Sequence, residues 1–222
     1  MHIYESNGKK LPSVTTIVHA IGNEAITKWS NWLGFKHIKY EDELNRSANF
    51  GTLVHSHLQS IVDPSAENLE VLEPANNVEK MDLDISLTYF RNLIRLYDFQ
   101  TVFTEKTVVS EELGYAGTLD WLAYMNGYLM LNDFKTSKQP RFGMMLQLGG
   151  YYNLLKTIGY DPDGASIITV NTKGAKLHPI NKRDLLIYSE WFNDLAVFYN
   201  KTELYKDPQP IYDFEFGDKL KK

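Results

Sequence analysis

The sequence predicts an α/β domain in which a central mixed β-sheet is flanked by helices and preceded by a mostly helical N-terminal region. Three observations predict it. Asn126-Gly127 separates two runs of apolar and aromatic residues, the strongest short-range signal of a β-hairpin. A strand pattern over 101–109 comes before that hairpin; a helix-length segment and two more short strand patterns come after it. Long helical patterns fill 24–62 and about 78–97. At 222 residues the chain is read as one domain spanning 1–222, with a mostly helical region over 1–98 and a sheet-bearing core over 99–210.

The elements follow in order. Residues 2–10 predict a short strand with a turn at Asn7-Gly8. Ser13 is a helix N-cap ahead of Val14, Ile17 and Val18, which share one face. The segment 24–62 is helical with interruptions near Gly34 and Gly51, and its Trp29, Trp32, Leu33 and Phe35 are read as core. Residues 63–79, with Pro64, Pro74 and Asn76-Asn77 among acids, read as an irregular surface loop. The next helix carries Leu87, Phe90, Leu93, Ile94 and Tyr97 in register.

After the hairpin, Pro140 opens a helix reaching about Ile158. Gly149-Gly150 inside it costs about 1 kcal/mol each against Ala, which calls for close backbone approach to the sheet or to a phosphate. Residues 166–171 and 176–180 read as strands joined at Lys173-Gly174. From Lys182 to about Tyr199 an amphipathic helix carries Leu185, Leu186, Tyr188, Trp191, Phe192, Leu195 and Phe198; a lysine-ended tail follows.

Composition narrows the class. A hydrophobic fraction of 43% supports a packed core. There is no cysteine, which excludes disulfides, thiolate zinc and a cysteine-held iron–sulfur cluster. It fits a reducing, cytoplasmic compartment (the host cytoplasm for a viral protein). No run approaches the roughly 20 apolar residues of a membrane span, and the N-terminus lacks a signal-peptide pattern, so no membrane partner is expected. The net charge is −5, but residues 61–84 hold seven acids and one base, a net of −6, which leaves +1 for the remainder. A basic groove can therefore coexist with an acidic flank.

The hairpin carries the chemistry. Asp133 and Lys135 are two apart on the second arm and project to one side. Folding about Asn126-Gly127 brings Asp120 opposite the neighbourhood of Asp133. Two carboxylates brought together repel unless a cation sits between them, and a hard divalent ion that prefers oxygen ligands is the simplest candidate. Glu105, mid-strand, is either an outward-facing glutamate or a further carboxylate for that cluster. Gln147 and Tyr151, four apart, share a helical face.

The ordered set Gly117-Thr118-Leu119-Asp120, Asp133-Phe134-Lys135-Thr136-Ser137 and Gln147 with Tyr151 resembles the PD-(D/E)XK nuclease superfamily. More narrowly, it is similar to the RecB-like exonuclease branch, which includes phage exonucleases and the mitochondrial genome-maintenance exonuclease. The stretch from Gly51 to His55 resembles the segment that supplies a metal-binding histidine in that branch; His57 points elsewhere. The resemblance implies a restriction-endonuclease-like core and Mg2+- or Mn2+-dependent hydrolysis of DNA, preferentially single-stranded and from an end, in replication, recombination or repair.

It further implies metal ligands at His55, Asp120, Asp133, the Phe134 carbonyl and Glu105, with Asp120, Asp133 and Lys135 catalytic. Lys135 would orient or activate water and stabilise developing charge. Gln147 and Tyr151 would hold substrate phosphate or support the ligands, while Thr136, Ser137, Lys138 and Arg141 suit phosphate contacts. A tryptophan of the N-terminal helices is a candidate platform for a single-stranded base. A structure-specific endonuclease and a catalytically silent DNA-binding module are the rival readings. A subunit of a larger assembly with a helicase or annealing protein is a third.

Overall fold

The computed structural model describes residues 3–21, 24–66 and 70–204. Glu67, the Trp29 side chain, residues 205–210 of the expected core and the lysine-ended tail lie outside the described residues.

Strands β1 (Ile3–Ser6) and β2 (Lys9–Pro12) pair antiparallel across Asn7-Gly8, whose φ values of 48° and 75° suit these two residue types. Helix α1 (Val14–His19) begins at Ser13, whose Oγ accepts from the Thr16 N–H at 3.0 Å. Helices α2 (Glu24–Phe35), α3 (Tyr40–Val62) and α4 (Asn77–Ile94) complete the N-terminal region. The expected break near Gly34 falls at 36–39, and none occurs at Gly51, which lies inside α3. The cost of that glycine is offset by the burial of Leu53, Val54 and Leu58 just beyond it. Of the aromatic-rich α2 residues expected in the core, Leu33 is buried, but Trp32 and Phe35 are exposed.

The central sheet has the order β3 (Phe99–Ser110), β4 (Tyr115–Met125), β5 (Tyr128–Lys135), β6 (Gly164–Asn171), β7 (Gly174–Asn181). The β4–β5 turn is Asn126-Gly127, with φ of 49° and 85°. Only β5 and β6 run parallel, joined by the crossover helix α5 (Phe142–Thr157). Pro140 stands ahead of this helix, whose N-cap is Arg141, rather than in its first turn as expected. Helix α6 (Lys182–Leu204) closes the described chain. The fold class is thus the expected one: α/β, a mixed sheet flanked by helices, with a helical N-terminal region.

Two apolar cores sandwich the sheet. One packs α1, α5 and α6 against Leu119, Leu122, Leu131 and Ile167; the other packs α3 and α4 against Trp121, Phe134 and Ile168. Gly149 and Gly150 serve neither the sheet nor a phosphate. A Cβ on Gly149 would lie 2.3 Å from the Tyr188 carbonyl oxygen, and one on Gly150 2.8 Å from the Phe192 ring, so the pair lets α5 and α6 touch. On α6, Leu185 and Phe192 are buried, whereas Leu186, Trp191 and Phe198 are exposed. No helix among the described residues is long and apolar enough to cross a membrane.

Candidate metal centre

The β4–β5 ladder ends at the pair Trp121 and Asn132, and the next positions in that register are Asp120 and Asp133. Here the strands part. The Phe134 N–H donates to Asp120 Oδ2 at 2.7 Å, a side chain replacing a rung of the ladder. The Phe134 ring turns into the α3–α4 core, stacked 5.9 Å from Trp121 and edge-on to Phe90. That anchor holds Asp133 and Lys135 on the opposite side of β5. The Lys135 Nζ lies 2.6 Å from Asp133 Oδ2, and Asp133 is fully buried.

Helix α3 brings His55 to the same place. Val54 and Leu58, on its inner face, are buried, which holds His55 at the cleft wall with its Nδ1 3.7 Å from Asp120 Oδ2. Polar ties that no sequence pattern announces fasten α3 across the sheet. The Thr101 Oγ1 donates to the Val62 carbonyl at 2.6 Å and accepts from Trp121 Nε1 at 3.0 Å. The Thr104 Oγ1 accepts from Gln59 Nε2 and donates to Asp63 Oδ2. His57 does point elsewhere, to the Leu72 carbonyl at 2.9 Å.

Glu105 joins through an irregularity. The β3–β4 register slips by one residue between Thr101 and Phe103, which leaves Glu105 opposite Asp120, between the pairs Thr104–Trp121 and Lys106–Leu119. Its φ is 46°, a left-handed conformation that costs a non-glycine residue about 1–2 kcal/mol. Strain of this kind concentrates where a side chain has been aimed at a task. One ligand atom each from His55, Glu105 and Asp120 lies within 4.8 Å of the others.

The electrostatics suit a cation. Desolvation, helped by Lys135, lowers the His55 imidazole to about 4, so it is neutral and free to donate a lone pair near pH 7. Glu105 is exposed at the cleft mouth; partial desolvation there, then the Asp120 and Asp133 charges, raise its carboxyl to about 7. Burial also raises Asp120 and Asp133, with Lys135 opposing it at both. Lys135 itself is raised: the neighbouring carboxylates outweigh its desolvation, so it remains an ammonium.

The donor set fits Mg2+ or Mn2+: carboxylate oxygens, one imidazole, and a cleft wide enough for water to complete the shell. Asp133 stands beside this trio. Its Oδ1 accepts from Gln147 Nε2 at 3.2 Å, while its buried Oδ2 is paired with the Lys135 ammonium. That oxygen keeps a lone pair for a ligand. The Phe134 main chain lies close enough to the His55 ring to favour its protonated form.

Gln147 and Tyr151 are buried beneath the centre, where they support a ligand, the second of the two roles expected of them. Gln147 Nε2 bridges Asp133 and the Tyr151 hydroxyl, the latter at 2.9 Å, so both residues steady Asp133. Gly117 makes room for them: a Cβ there would sit 2.7 Å from the Tyr151 ring. The spacing of Gln147 and Tyr151 pointed to a shared face, but the role of Gly117 depends on a contact 34 positions away in sequence and carried no local signal.

His55 and Glu105 line a cleft of about 830 Å3 with Gln59 and Thr104. Thr136, Ser137 and Arg141 line a neighbouring cleft of about 750 Å3 on the other side of Ala48, together with Phe50 and Arg46. Lys138 turns away to a third hollow. The four residues expected to contact phosphate are therefore divided between two sites.

No protein-family model matches the sequence, and no curated protein matches it. Among solved structures, the crystal structure of SSO0001 is similar at 14% identity, covering 89% of this chain and 79% of that one, with a TM-score of 0.41. The structure of LHK-Exo in complex with dAMP is similar at 9% identity, covering 88% of this chain and 90% of that one, with a TM-score of 0.40.

Proposed function

We propose that the chain is a metal-dependent deoxyribonuclease of the PD-(D/E)XK type, RecB-like branch, acting as a single-strand-preferring exonuclease in replication, recombination or repair. The observation that carries the reading is the strand fork: His55, Glu105 and Asp120 gather their ligand atoms beside a buried Asp133–Lys135 pair. Binding alone does not require that combination, because the electrostatic grip on a phosphate backbone needs cations, not converging carboxylates.

In this reading His55, Glu105 and Asp120 hold Mg2+ or Mn2+, with Asp133 and the Phe134 carbonyl completing the protein ligands. The ion, when bound, neutralises phosphate charge and activates water. Lys135 stays protonated, so it acts as a hydrogen-bond donor to the attacking water and to the charge that develops on phosphate, not as a general base. Gln147 and Tyr151 hold the Asp133 carboxylate in orientation. Thr136, Ser137 and Arg141 contact phosphates of the bound strand in the second cleft.

Purified protein is expected to degrade linear single-stranded DNA with Mg2+ or Mn2+ and to stop on addition of a chelator. Lys135→Ala is expected to abolish cleavage while the melting curve stays cooperative; wild-type rates in that variant would remove the assigned site. A circular single strand remains intact if the activity is exonucleolytic. Its cleavage would turn the reading to an endonuclease, and tight binding without turnover in metal to a silent module.

A further inference from the structure

Strands β5 and β6 run parallel, with Lys135 opposite Thr169, so the β6–β7 turn stands at the same end of the sheet as the metal centre. Open α/β sheets bind ligands beyond the carboxyl ends of such strands. A hollow of about 340 Å3 opens there, lined by Lys138, Lys173 and Lys176 with Thr169 and Asn171 beneath them. The three lysines are exposed, and no carboxylate lines the hollow. None of the three takes part in an ion pair among the described residues.

The hollow is built, not fluid. Asn171 Nδ2 donates to the Ser137 carbonyl at 3.3 Å, and Asn171 Oδ1 accepts from the Lys173 N–H at 2.9 Å, which locks the turn to the loop after β5. The Thr169 Oγ1 contacts the Lys176 carbonyl and His178 Nε2. Three residues of chain span at most about 11 Å, so Lys138 lies within a few nucleotides of Lys135, at roughly 3.4 Å of rise per nucleotide. No aromatic side chain lines the hollow, so nothing there stacks on a base or reads sequence.

We infer that Lys138, Lys173 and Lys176 form a second phosphate-binding site that grips the backbone of the nucleic-acid strand beyond the metal centre, independent of its sequence. This rests on the proposed nuclease reading for the identity of the strand. Lys138 grips from the loop after β5, Lys173 and Lys176 from the β6–β7 turn.

The test compares wild-type protein with Lys173→Glu/Lys176→Glu and with the milder Lys173→Gln/Lys176→Gln. Binding of a 30-nucleotide and a 4-nucleotide oligothymidylate is measured by fluorescence anisotropy in chelator across a salt series, and cleavage of both is measured in Mn2+. The charge-reversed variant is expected to bind the long strand about tenfold more weakly, with a salt slope shallower by about 1.4, two lost phosphate contacts at roughly 0.7 each. The glutamine variant follows in the same direction. Binding and cleavage of the 4-nucleotide strand, which is too short to span the metal centre and all three lysines, are expected to change less than those of the long strand. Long-strand affinity and slope unchanged in both variants would overturn the inference while leaving the nuclease reading intact. Lysine-dependent binding by a wild-type protein that never cleaves supports the inference and removes the nuclease reading. Wild-type protein that neither binds nor cleaves the long strand removes both.

Discussion

Protons and a divalent ion compete for Glu105, which gives the metal centre a defined pH response. The Glu105 carboxyl is raised to about 7 and Asp133 to about 6, while His55 is lowered to about 4. At pH 8 Glu105 and Asp133 are ionised and the imidazole is neutral. On acidification Glu105 takes up a proton near 7, and a metal that must displace it loses, below that value, about tenfold in affinity per pH unit, equivalent to 1.36 kcal/mol. Glu105 is already half protonated at pH 7, so Mn2+ affinity is expected to fall about fivefold between pH 7 and 6. Below pH 6 the slope steepens toward two protons if Asp133 is also a ligand. His55 contributes nothing in this window, because it is already neutral above about 4. Glu105→Gln removes that proton together with one ligand charge. Its affinity is lower at pH 8 but stays flat down to about pH 6, where Asp133 begins to titrate. Isothermal titration of Mn2+ from pH 5.5 to 8.5 reads both curves. A wild-type affinity that is constant between pH 7.5 and 6, or a Glu105→Gln curve that keeps its bend near 7, would refute the assignment.

Three further outcomes follow from the packing. Tyr151→Phe deletes the hydroxyl that accepts from Gln147, at a cost of about 1 kcal/mol; kcat is expected to fall with KM unchanged, whereas a direct substrate contact would raise KM. Gly117→Ala drives a Cβ to 2.7 Å from the Tyr151 ring. Overpacking of this kind costs about 1–3 kcal/mol, a melting-temperature drop of roughly 2–12 °C, and in a Tyr151→Ala background, where the ring is gone, Gly117→Ala is expected to cost little more. Asp161 accepts from Lys182 and Tyr152 and pairs with Lys156, which hold its carboxyl below the usual range. A carboxyl lowered in the folded state stabilises above its unfolded value of about 3.9 and loses that stabilisation as the pH falls further. Asp161→Asn should therefore lower the melting temperature at pH 7, by an amount that shrinks toward pH 3.

What could be read before the fold was known followed local rules. Asn126-Gly127 specifies a hairpin because both residues tolerate the positive φ that the turn demands. The period of two along β5 then puts Asp133 and Lys135 on one side without any knowledge of the rest. Ser13 is a cap for an equally local reason. The metal centre needs more than periodicity. Glu105 reaches Asp120 because a one-residue slip in the β3–β4 ladder and a left-handed backbone re-aim it, and neither is encoded by the strand pattern around it. Gln147 and Tyr151 share a helical face as their spacing requires, but whether that face meets solvent or the underside of Asp133 is decided by Gly117 on another strand. The exposure of Trp32 and Phe35 has the same origin, since aromatic content reports what a helix could bury and not what stands opposite to receive it. Period alone therefore identifies which residues share a surface. The meeting of three elements at one fork depends on glycines and polar ties that relax or enforce a close approach, and those residues carry the site as much as its ligands do.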